Sequence, residues 1–249
     1  MYKTNSFFKC LIAAVFLSSC GRTNTIPLQI EPSLATQTPT SNTSTPAVPV
    51  PPTFTAIPSN ILLIENFTAT SVEFGVNSNE KGSIEIRDGS YIVRATNHEI
   101  WQWGQSTSKF ENTVIEFDAT LFNGPANNNA GFGIICRLSE REDALVDGYM
   151  LAISGDGYYT IRKITASSMS PLVDWSHSDA IHQGNVNNKI RATCNGNELK
   201  LEANSQLLAT TNTIEGGATF GALAFSAISF EEAEPVAEIH FDNLIVSRP

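Results

Sequence analysis

Residues 188–203 read NKIRATCNGNELKLEA, and this stretch decides the fold class. Leu199, Leu201 and Ala203 alternate with charged residues, which gives an extended strand one apolar side and one solvent side. The dipeptide Asn195-Gly196 separates this strand from a preceding alternating run and suits the positive φ angles of a tight turn. The stretch therefore predicts a β-hairpin with one face toward a core.

The same texture continues through residues 59–249. Short apolar-alternating runs are separated by Gly, Asn and Asp, and no stretch keeps helical spacing for three turns. A second hairpin is predicted around Asp88-Gly89. Because about a dozen strands fit this length, we predict an all-β domain of two stacked antiparallel sheets.

Composition and charge limit the possible partners. The 249 residues are 41% hydrophobic and 16% charged, which is typical of neither a disordered chain nor a polytopic membrane protein. Acidic residues number 25 against 15 basic ones, for a net charge of −10. This sign argues against binding to nucleic acid and against adhesion to anionic lipid by charge.

The N-terminus has the layout of an export signal. Lys3 and Lys9 precede an apolar run over residues 11–17 that is too short to span a bilayer. The run ends in LSSC at 17–20, which resembles the bacterial lipobox, in which the cysteine is acylated and the peptide before it is removed. We predict a signal peptide over residues 1–19 and lipidation with fatty acids such as palmitate at Cys20, although an ordinary cleaved signal is the alternative.

Residues 20–58 form a predicted tether. The segment from 21 to 58 holds 8 of the 12 prolines and 12 Ser or Thr, and Arg22 and Glu31 are its charges. Such a composition cannot bury enough apolar surface to order itself and favours extended polyproline II. The mature chain is thus expected to present the domain from the extracytoplasmic face of the cell envelope, with the membrane as a partner through the anchor and with glycosylation of the tether left open.

Two cysteines are predicted to face the core. Cys194 shares a side of its strand with Ile190, and Cys136 shares a side with Ile134. An exported chain lies in a compartment that permits disulfides. We therefore predict a bond between Cys136 and Cys194, with two buried thiols as the alternative.

A series of motifs carries a family resemblance. In order along the chain they are ENF at 65–67, DGSYIV at 88–93, a Trp at 101 or 103, GIICR at 133–137, GYMLAISGDGYYTIRKI at 148–164, CNGNELKLEANSQLL at 194–208 and HFDNLIV at 240–246. Their order resembles bacterial domains of the concanavalin A-like lectin/glucanase fold, close to the three-keto-disaccharide hydrolase-like group. The resemblance implies a jelly-roll sandwich with paired terminal strands and a concave face that holds carbohydrate in relatives, but it does not imply activity.

Glu116 and Asp118 are the candidate catalytic acids. Glucanases of this fold carry Glu-x-Asp-x-x-Glu on one strand because retaining hydrolysis needs two carboxyls about 5 Å apart. Here the third position is Leu121. The missing partner favours a solvated strand face over a catalytic site.

Exposed aromatic rings would favour sugar binding, because the apolar faces of sugar rings stack on them. Trp101 and Trp103 are two residues apart and so project from one side of their strand, although burial in a core is the alternative. Arg137 is expected to turn away from the core because it alternates with Cys136. The candidate carbohydrate-binding residues are Trp101, Trp103, Arg137, Tyr149, Tyr159 and Trp175.

A structural calcium ion is the candidate cofactor. Sandwich relatives often bind calcium where the termini meet, and Glu65, Asn66 and Asp242 offer oxygen ligands in the two terminal strands. A polar stretch with Asp174, His177, Asp179 and His182 is better explained as a solvated loop than as a metal site. Asp156 is expected to be a turn residue.

These observations favour a surface lipoprotein that displays a non-catalytic, carbohydrate-binding module, with a glycan or cell-surface polysaccharide as partner. A glycoside-processing hydrolase of the same fold is one alternative. A structural or sensor ectodomain that binds protein is the other.

Overall fold

The computed structural model describes residues 58–68, 71–213 and 215–249. The predicted signal peptide, Cys20 and almost all of the tether lie outside these residues. No helix within the described ranges is long and apolar enough to cross a membrane.

Fifteen strands and no helices make up the described part of the chain. In chain order they are β1 (Ile61–Glu65), β2 (Asn77–Asn79), β3 (Gly82–Arg87), β4 (Ser90–Ala95), β5 (Gln102–Phe110), β6 (Thr113–Asn123), β7 (Ala130–Glu140), β8 (Val146–Ser154), β9 (Tyr158–Thr165), β10 (Ser168–His177), β11 (Asn188–Asn195), β12 (Glu198–Ala203), β13 (Gln206–Asn212), β14 (Gly221–Ser229) and β15 (Ala237–Ser247).

The strands form two antiparallel sheets, as predicted. A nine-stranded sheet has the order β13-β12-β11-β6-β15-β4-β3-β2, with β1 paired to β15. A six-stranded sheet has the order β10-β9-β8-β7-β14-β5. The first and last strands pair with Leu63 opposite Val246, which confirms the pairing implied by the family resemblance.

Both predicted hairpins are present. Asp88 and Gly89 have φ of 53° and 79° and join β3 to β4, which agrees with the turn predicted there. Between β11 and β12 the register places Asn195 opposite Glu198, so the two-residue loop is Gly196-Asn197. This loop lies one residue later than predicted, and Gly196 supplies the positive φ of 52°.

Aromatic rings fill the space between the sheets. The Phe225 ring on β14 lies 4.4–6.0 Å from five other ring centroids, those of Phe67, Phe74, Tyr91, Phe117 and Phe241. The buried Tyr91 hydroxyl donates a hydrogen bond to the Gly75 carbonyl at 2.7 Å, and burial raises its pKa. Position 104 is glycine because the Tyr91 hydroxyl occupies the space that a Cβ would need.

A disulfide joins the two sheets across this core. It connects Cys136 on β7 with Cys194 on β11, and the two Cα atoms are 6.8 Å apart. Both cysteines are buried. The bond fixes one end of the six-stranded sheet to the nine-stranded sheet.

Candidate functional site

The six-stranded sheet has an apolar cluster on the face that points away from the core, here called the outer face. Side chains along β7, β8 and β14 alternate between the core and the outer face, so every second one points to the outer face. Its buried members are Ile135, Leu138, Met150, Ala152, Ile164, Ala222 and Ala224. Trp101, Trp103, Val146 and Met169 pack against them and are partly buried. The outer face of this sheet therefore has an apolar layer of its own beneath the side chains that reach solvent.

One end of the outer face opens into a groove of about 290 Å³, here called the aromatic groove. It forms where β8, β10 and β14 end and β9 begins. The lining residues are Asn129, Ser154, Asp156, Tyr158, Trp175 and Phe230. The fold brings them together from distant parts of the chain through the antiparallel order of these strands.

Three aromatic rings form a connected wall beside the groove. Phe230 packs edge-on against Trp175 at 5.7 Å and against Trp101 at 6.3 Å between ring centroids. Gly131 makes room for this wall, since a Cβ there would lie 3.1 Å from the Phe230 ring and 3.2 Å from the Trp101 ring. Across the groove, Tyr158 is 40% exposed and packs edge-on against His177. The groove therefore offers rigid aromatic surface to a ligand.

Two polar atoms in the groove have no protein partner. The Ser154 hydroxyl oxygen and Asp156 Oδ1 are both buried, and no residue of the described chain hydrogen-bonds to either. Buried polar atoms are almost always hydrogen-bonded, so each exception requires an explanation. A ligand that carries hydroxyl groups would supply the missing hydrogen bonds.

The polar edge of the groove is held in place by a carboxylate. Glu231 accepts hydrogen bonds from the side-chain amides of Asn127 at 2.8 Å and Asn129 at 2.9 Å. These two donors lower the pKa of Glu231 below its ordinary value, with a smaller contribution from His98. The Asn129 side chain is thus fixed before any ligand arrives.

Comparison with known proteins identifies the architecture. The sequence matches no protein-family model and no curated protein. Among solved structures, the beta-glucanase of Bacillus licheniformis superposes with a TM-score of 0.56 at 8% identity, over 78% of this chain and 100% of that one. This domain is a concanavalin A-like jelly roll.

Two further structures share the jelly roll. A Bacillus subtilis protein of unknown function with a galectin-like fold has a TM-score of 0.55 at 9% identity, over 76% of this chain and 96% of that one. The carbohydrate binding module CBM66 from Bacillus subtilis has a TM-score of 0.50 at 13% identity, over 70% of this chain and 91% of that one. At these identities the likeness establishes the fold alone.

The three predicted tryptophans occupy different positions in the jelly roll. Trp175 lines the groove, and Trp101 touches it through Phe230. Trp103 packs on the apolar cluster of the outer face and does not line the groove. Because Trp101 and Trp103 are partly buried on the outer face, they belong neither to the core between the sheets nor to a fully exposed surface.

Arg137 does not face solvent, contrary to the expectation from alternation. Its backbone has a φ of 55°, and the register between β7 and β8 shifts between Cys136 and Ser139. This β-bulge breaks the alternation and redirects the side chain, which is only 3% exposed.

The two tyrosines predicted for the site, Tyr149 and Tyr159, do not line the groove. Tyr149 is fully buried on the core side of β8, and Tyr159 packs against the core from β9. Tyr158, the neighbour of Tyr159, has the opposite phase and reaches the groove. The inward position of Ile161, at two residues from Tyr159, was the signal that could have found Tyr158.

Ser154, Asp156 and Phe230 were not predicted as ligand contacts. Asp156 does lie in the Gly155-Asp156-Gly157 turn, as expected, but its carboxylate also lines the groove. Phe230 follows β14 and reaches Trp175 only through the strand order of the sheet. No local sequence pattern points to it.

The candidate acids lie away from the groove. Glu116 and Asp118 alternate with core residues on β6 and face outward from the nine-stranded sheet. Asp118 lies opposite Asp242 and accepts a hydrogen bond from the Asn243 side-chain amide at 2.8 Å. The groove belongs to the other sheet, so these acids do not face it.

Within the described ranges, no three His, Cys, Asp or Glu residues are grouped closely enough to hold a metal ion. Among the proposed calcium ligands, Glu65 accepts hydrogen bonds from the Phe67 amide at 2.8 Å and the Ser71 hydroxyl at 2.6 Å. Asp242 accepts one from the Asn243 amide at 2.7 Å, and Asn66 is exposed. The calcium site stays a prediction.

The polar stretch after residue 168 is partly a strand. Residues through His177 form β10, an edge strand of the six-stranded sheet, where Pro171 is tolerated. Asp174 is exposed, His177 lies 3.8 Å from Asp179, and the His182 ring hydrogen-bonds the Asn187 carbonyl. These contacts are separate, which agrees with a solvated surface.

Proposed function

We propose that this protein binds carbohydrate in the aromatic groove. The observation that carries the proposal is the position of two unpartnered buried polar atoms, on Ser154 and Asp156, beside the Trp175 and Tyr158 rings that line the same groove. Sugars need this combination, because their ring faces are apolar and their rims carry hydroxyl groups.

Each lining group has a role in the proposed complex. Trp175 offers its ring face to the apolar face of a pyranose, and Phe230 holds Trp175 in position. The Asp156 carboxylate accepts hydrogen bonds from sugar hydroxyls, and the Ser154 hydroxyl donates or accepts one. The module from Bacillus subtilis is named as carbohydrate-binding and shares the fold, which supports the class of ligand but not its identity.

Binding is favoured over hydrolysis by the number of carboxylates. Glycosidases of the usual type need two carboxyl groups that flank the scissile bond. Asp156 is the single acidic residue among the described residues that line the groove. We therefore propose a binding module, and release of reducing sugar from a bound oligosaccharide would instead favour the hydrolase.

Trp175→Ala is expected to weaken glycan binding by about 30-fold, because truncating a central aromatic contact costs about 2 kcal/mol. A glycan array with the full chain identifies the ligand, and titration calorimetry with that ligand measures the change. Phe122→Ala is the matched control, since Phe122 is 52% exposed and belongs to β6 of the other sheet.

Ser154→Ala and Asp156→Asn test the polar half of the site. Both variants should weaken binding, while thermal unfolding shows whether the fold is kept. Unchanged affinity in Trp175→Ala and Asp156→Asn together would remove the groove as the binding site.

We further propose that the chain is anchored to the cell envelope through lipid at Cys20. The support is the LSSC motif after a short apolar run, followed by the Pro-rich and Thr-rich segment. Such an anchor would hold the groove outside the cell, where polysaccharide is available. Two acyl chains are needed for stable attachment.

Cys20→Ser should abolish incorporation of labelled palmitate and release the protein from the membrane fraction. Cys10→Ser is the control, because the residues before Cys10 do not fit the lipobox pattern, and labelling should persist in it. Equal labelling of wild type and Cys20→Ser would refute the anchor without affecting the groove.

A further inference from the structure

A second cavity lies near the other end of β8, away from the aromatic groove. It encloses about 520 Å³, and we call it the arginine cavity. Its lining includes Arg137, Tyr149, Asn197, Thr213, Glu215 and Thr219. It shares no lining residue with the aromatic groove.

Arg137 places a buried positive charge in the wall of this cavity. Its guanidinium donates hydrogen bonds to the Glu111 carbonyl at 2.8 Å, to the Gly196 carbonyl at 3.0 Å and to Asn112 Oδ1 at 3.2 Å. It forms no ion pair with any carboxylate in the described parts of the chain. A buried charge is normally paired, because leaving water is costly for an ion.

The guanidinium still has donors to offer. Arginine carries five N–H groups, and the three hydrogen bonds use one on each nitrogen. One N–H on each terminal nitrogen is therefore left, and guanidinium N–H groups are strong donors to carboxylates.

Tyr149 adds a second donor beside the guanidinium. The residue is 0% exposed, and its hydroxyl has no well-formed hydrogen bond to any described residue. Burial raises the Tyr149 pKa, and the neighbouring Thr213 side chain and the Arg137 charge act in the opposite direction. A buried hydroxyl without a hydrogen-bond partner, next to a guanidinium that forms no ion pair, supports a site for an anionic group.

We propose that the arginine cavity binds the carboxylate of an acidic sugar, such as a uronic acid. Arg137 donates its remaining N–H groups to the carboxylate, and the Tyr149 hydroxyl donates a further hydrogen bond. The cavity is larger than a bare anion needs, and Asn197, Thr213 and Thr219 offer polar groups to the sugar hydroxyls.

Two carboxylates oppose this ligand only weakly. Glu215 lines the cavity but is exposed, so water and salt screen its charge. Glu111 is exposed as well, and its backbone carbonyl accepts the hydrogen bond from Arg137. Burial lowers the pKa of Arg137, and the Glu111 carboxylate lies near enough to act in the opposite direction but forms no ion pair with the guanidinium.

A purely structural role does not explain the whole arrangement. Three of the Arg137 donors hold the turn before β6 and the loop between β11 and β12, and these bonds account for the bulge. They leave two N–H groups of Arg137 and the Tyr149 hydroxyl unused. Arg137→Ala is a poor test of the site, because it would leave the three acceptors of these hydrogen bonds without a donor and would destabilise the fold.

The test is calorimetric titration of the full chain with sodium D-glucuronate, with D-glucose and inorganic phosphate as comparison ligands. Tyr149→Phe should weaken glucuronate binding about tenfold or more, since a hydrogen bond to a charged group is lost. Tyr159→Phe is the matched control, because it removes a tyrosine hydroxyl from a residue that lines neither the aromatic groove nor the arginine cavity, and it should leave glucuronate binding unchanged. Trp175→Ala, which disables the proposed groove, should also leave it unchanged.

The outcomes separate this site from the groove. Tyr149→Phe should keep the unfolding temperature of the wild type, because the deleted hydroxyl has no partner, so lost binding reports the site itself. Absence of glucuronate binding, equal affinity in Tyr149→Phe, or equally tight binding of phosphate would each overturn the proposal. None of these results would bear on Trp175 and the glycan array.

Discussion

Phe225→Ala is expected to lower the free energy of unfolding by about 3–5 kcal/mol, the usual cost of truncating a fully buried aromatic ring. Phe225 is 0% exposed and contacts five aromatic rings, three from the nine-stranded sheet and two from the segment between β1 and β2. Because the three strand-borne neighbours are fixed in the opposite sheet, they cannot close the gap without distorting their own strands. Urea unfolding followed by tryptophan fluorescence measures the change.

Phe122→Ala is the control for this loss. Phe122 is 52% exposed and stacks on His240 at 4.2 Å, so its truncation should cost about 1 kcal/mol or less. Equal destabilisation by the two substitutions would contradict a core centred on Phe225.

Replacing both Cys136 and Cys194 with Ala should destabilise the protein by about 4 kcal/mol in the chain-entropy account, which rises with the length of the closed loop. The two cysteines are 58 residues apart in sequence and link opposite sheets. Reduction of the wild type with dithiothreitol should produce a loss of similar size. The same reductant should leave the double variant unchanged.

Mass spectrometry without reduction supplies an independent check. A single crosslinked peptide pair that contains Cys136 and Cys194 is expected. Two free thiols in protein purified under oxidising conditions would mean that these residues act only as small buried apolar groups.

Local sequence patterns predicted the parts of the fold that depend on neighbours in the chain. Alternation and turn residues located both hairpins, and alternation turned Cys136 and Cys194 inward. These patterns gave a wrong side-chain direction where one extra residue reverses the alternation between the two faces of a strand. The bulge at Arg137 adds one residue to its strand, and the pattern of apolar and polar residues in the sequence does not show where that residue lies.

The edge strand β10 was missed for a different reason. Pro171 and Asp174 interrupt its apolar pattern, and an edge strand accepts such residues because one side needs no partner. Its loss from the prediction hid the position of Trp175 relative to β9.

The candidate site depends on strand order more than on any motif. Ser154, Trp175 and Phe230 belong to three separate segments that meet only because β14 pairs with β7 and β10 with β9. Antiparallel register is set by contacts across the whole domain. A single sequence could therefore nominate Trp175 as an aromatic of interest but could not give its neighbours.

The pairing of β1 with β15 also brings the two ends of the domain together, so the domain can be transferred as a unit. Ile61 lies opposite Ser247, and the Arg248 amide donates to the Asn60 carbonyl at 2.8 Å, so the backbone enters and leaves at one point. A short linker could join these ends, and new ends could be opened at the Asp88-Gly89 turn, to give a circular permutant with every sheet contact retained. Because the two ends are adjacent, the sandwich could also be inserted into a surface loop of an unrelated host protein without separating the ends of that loop.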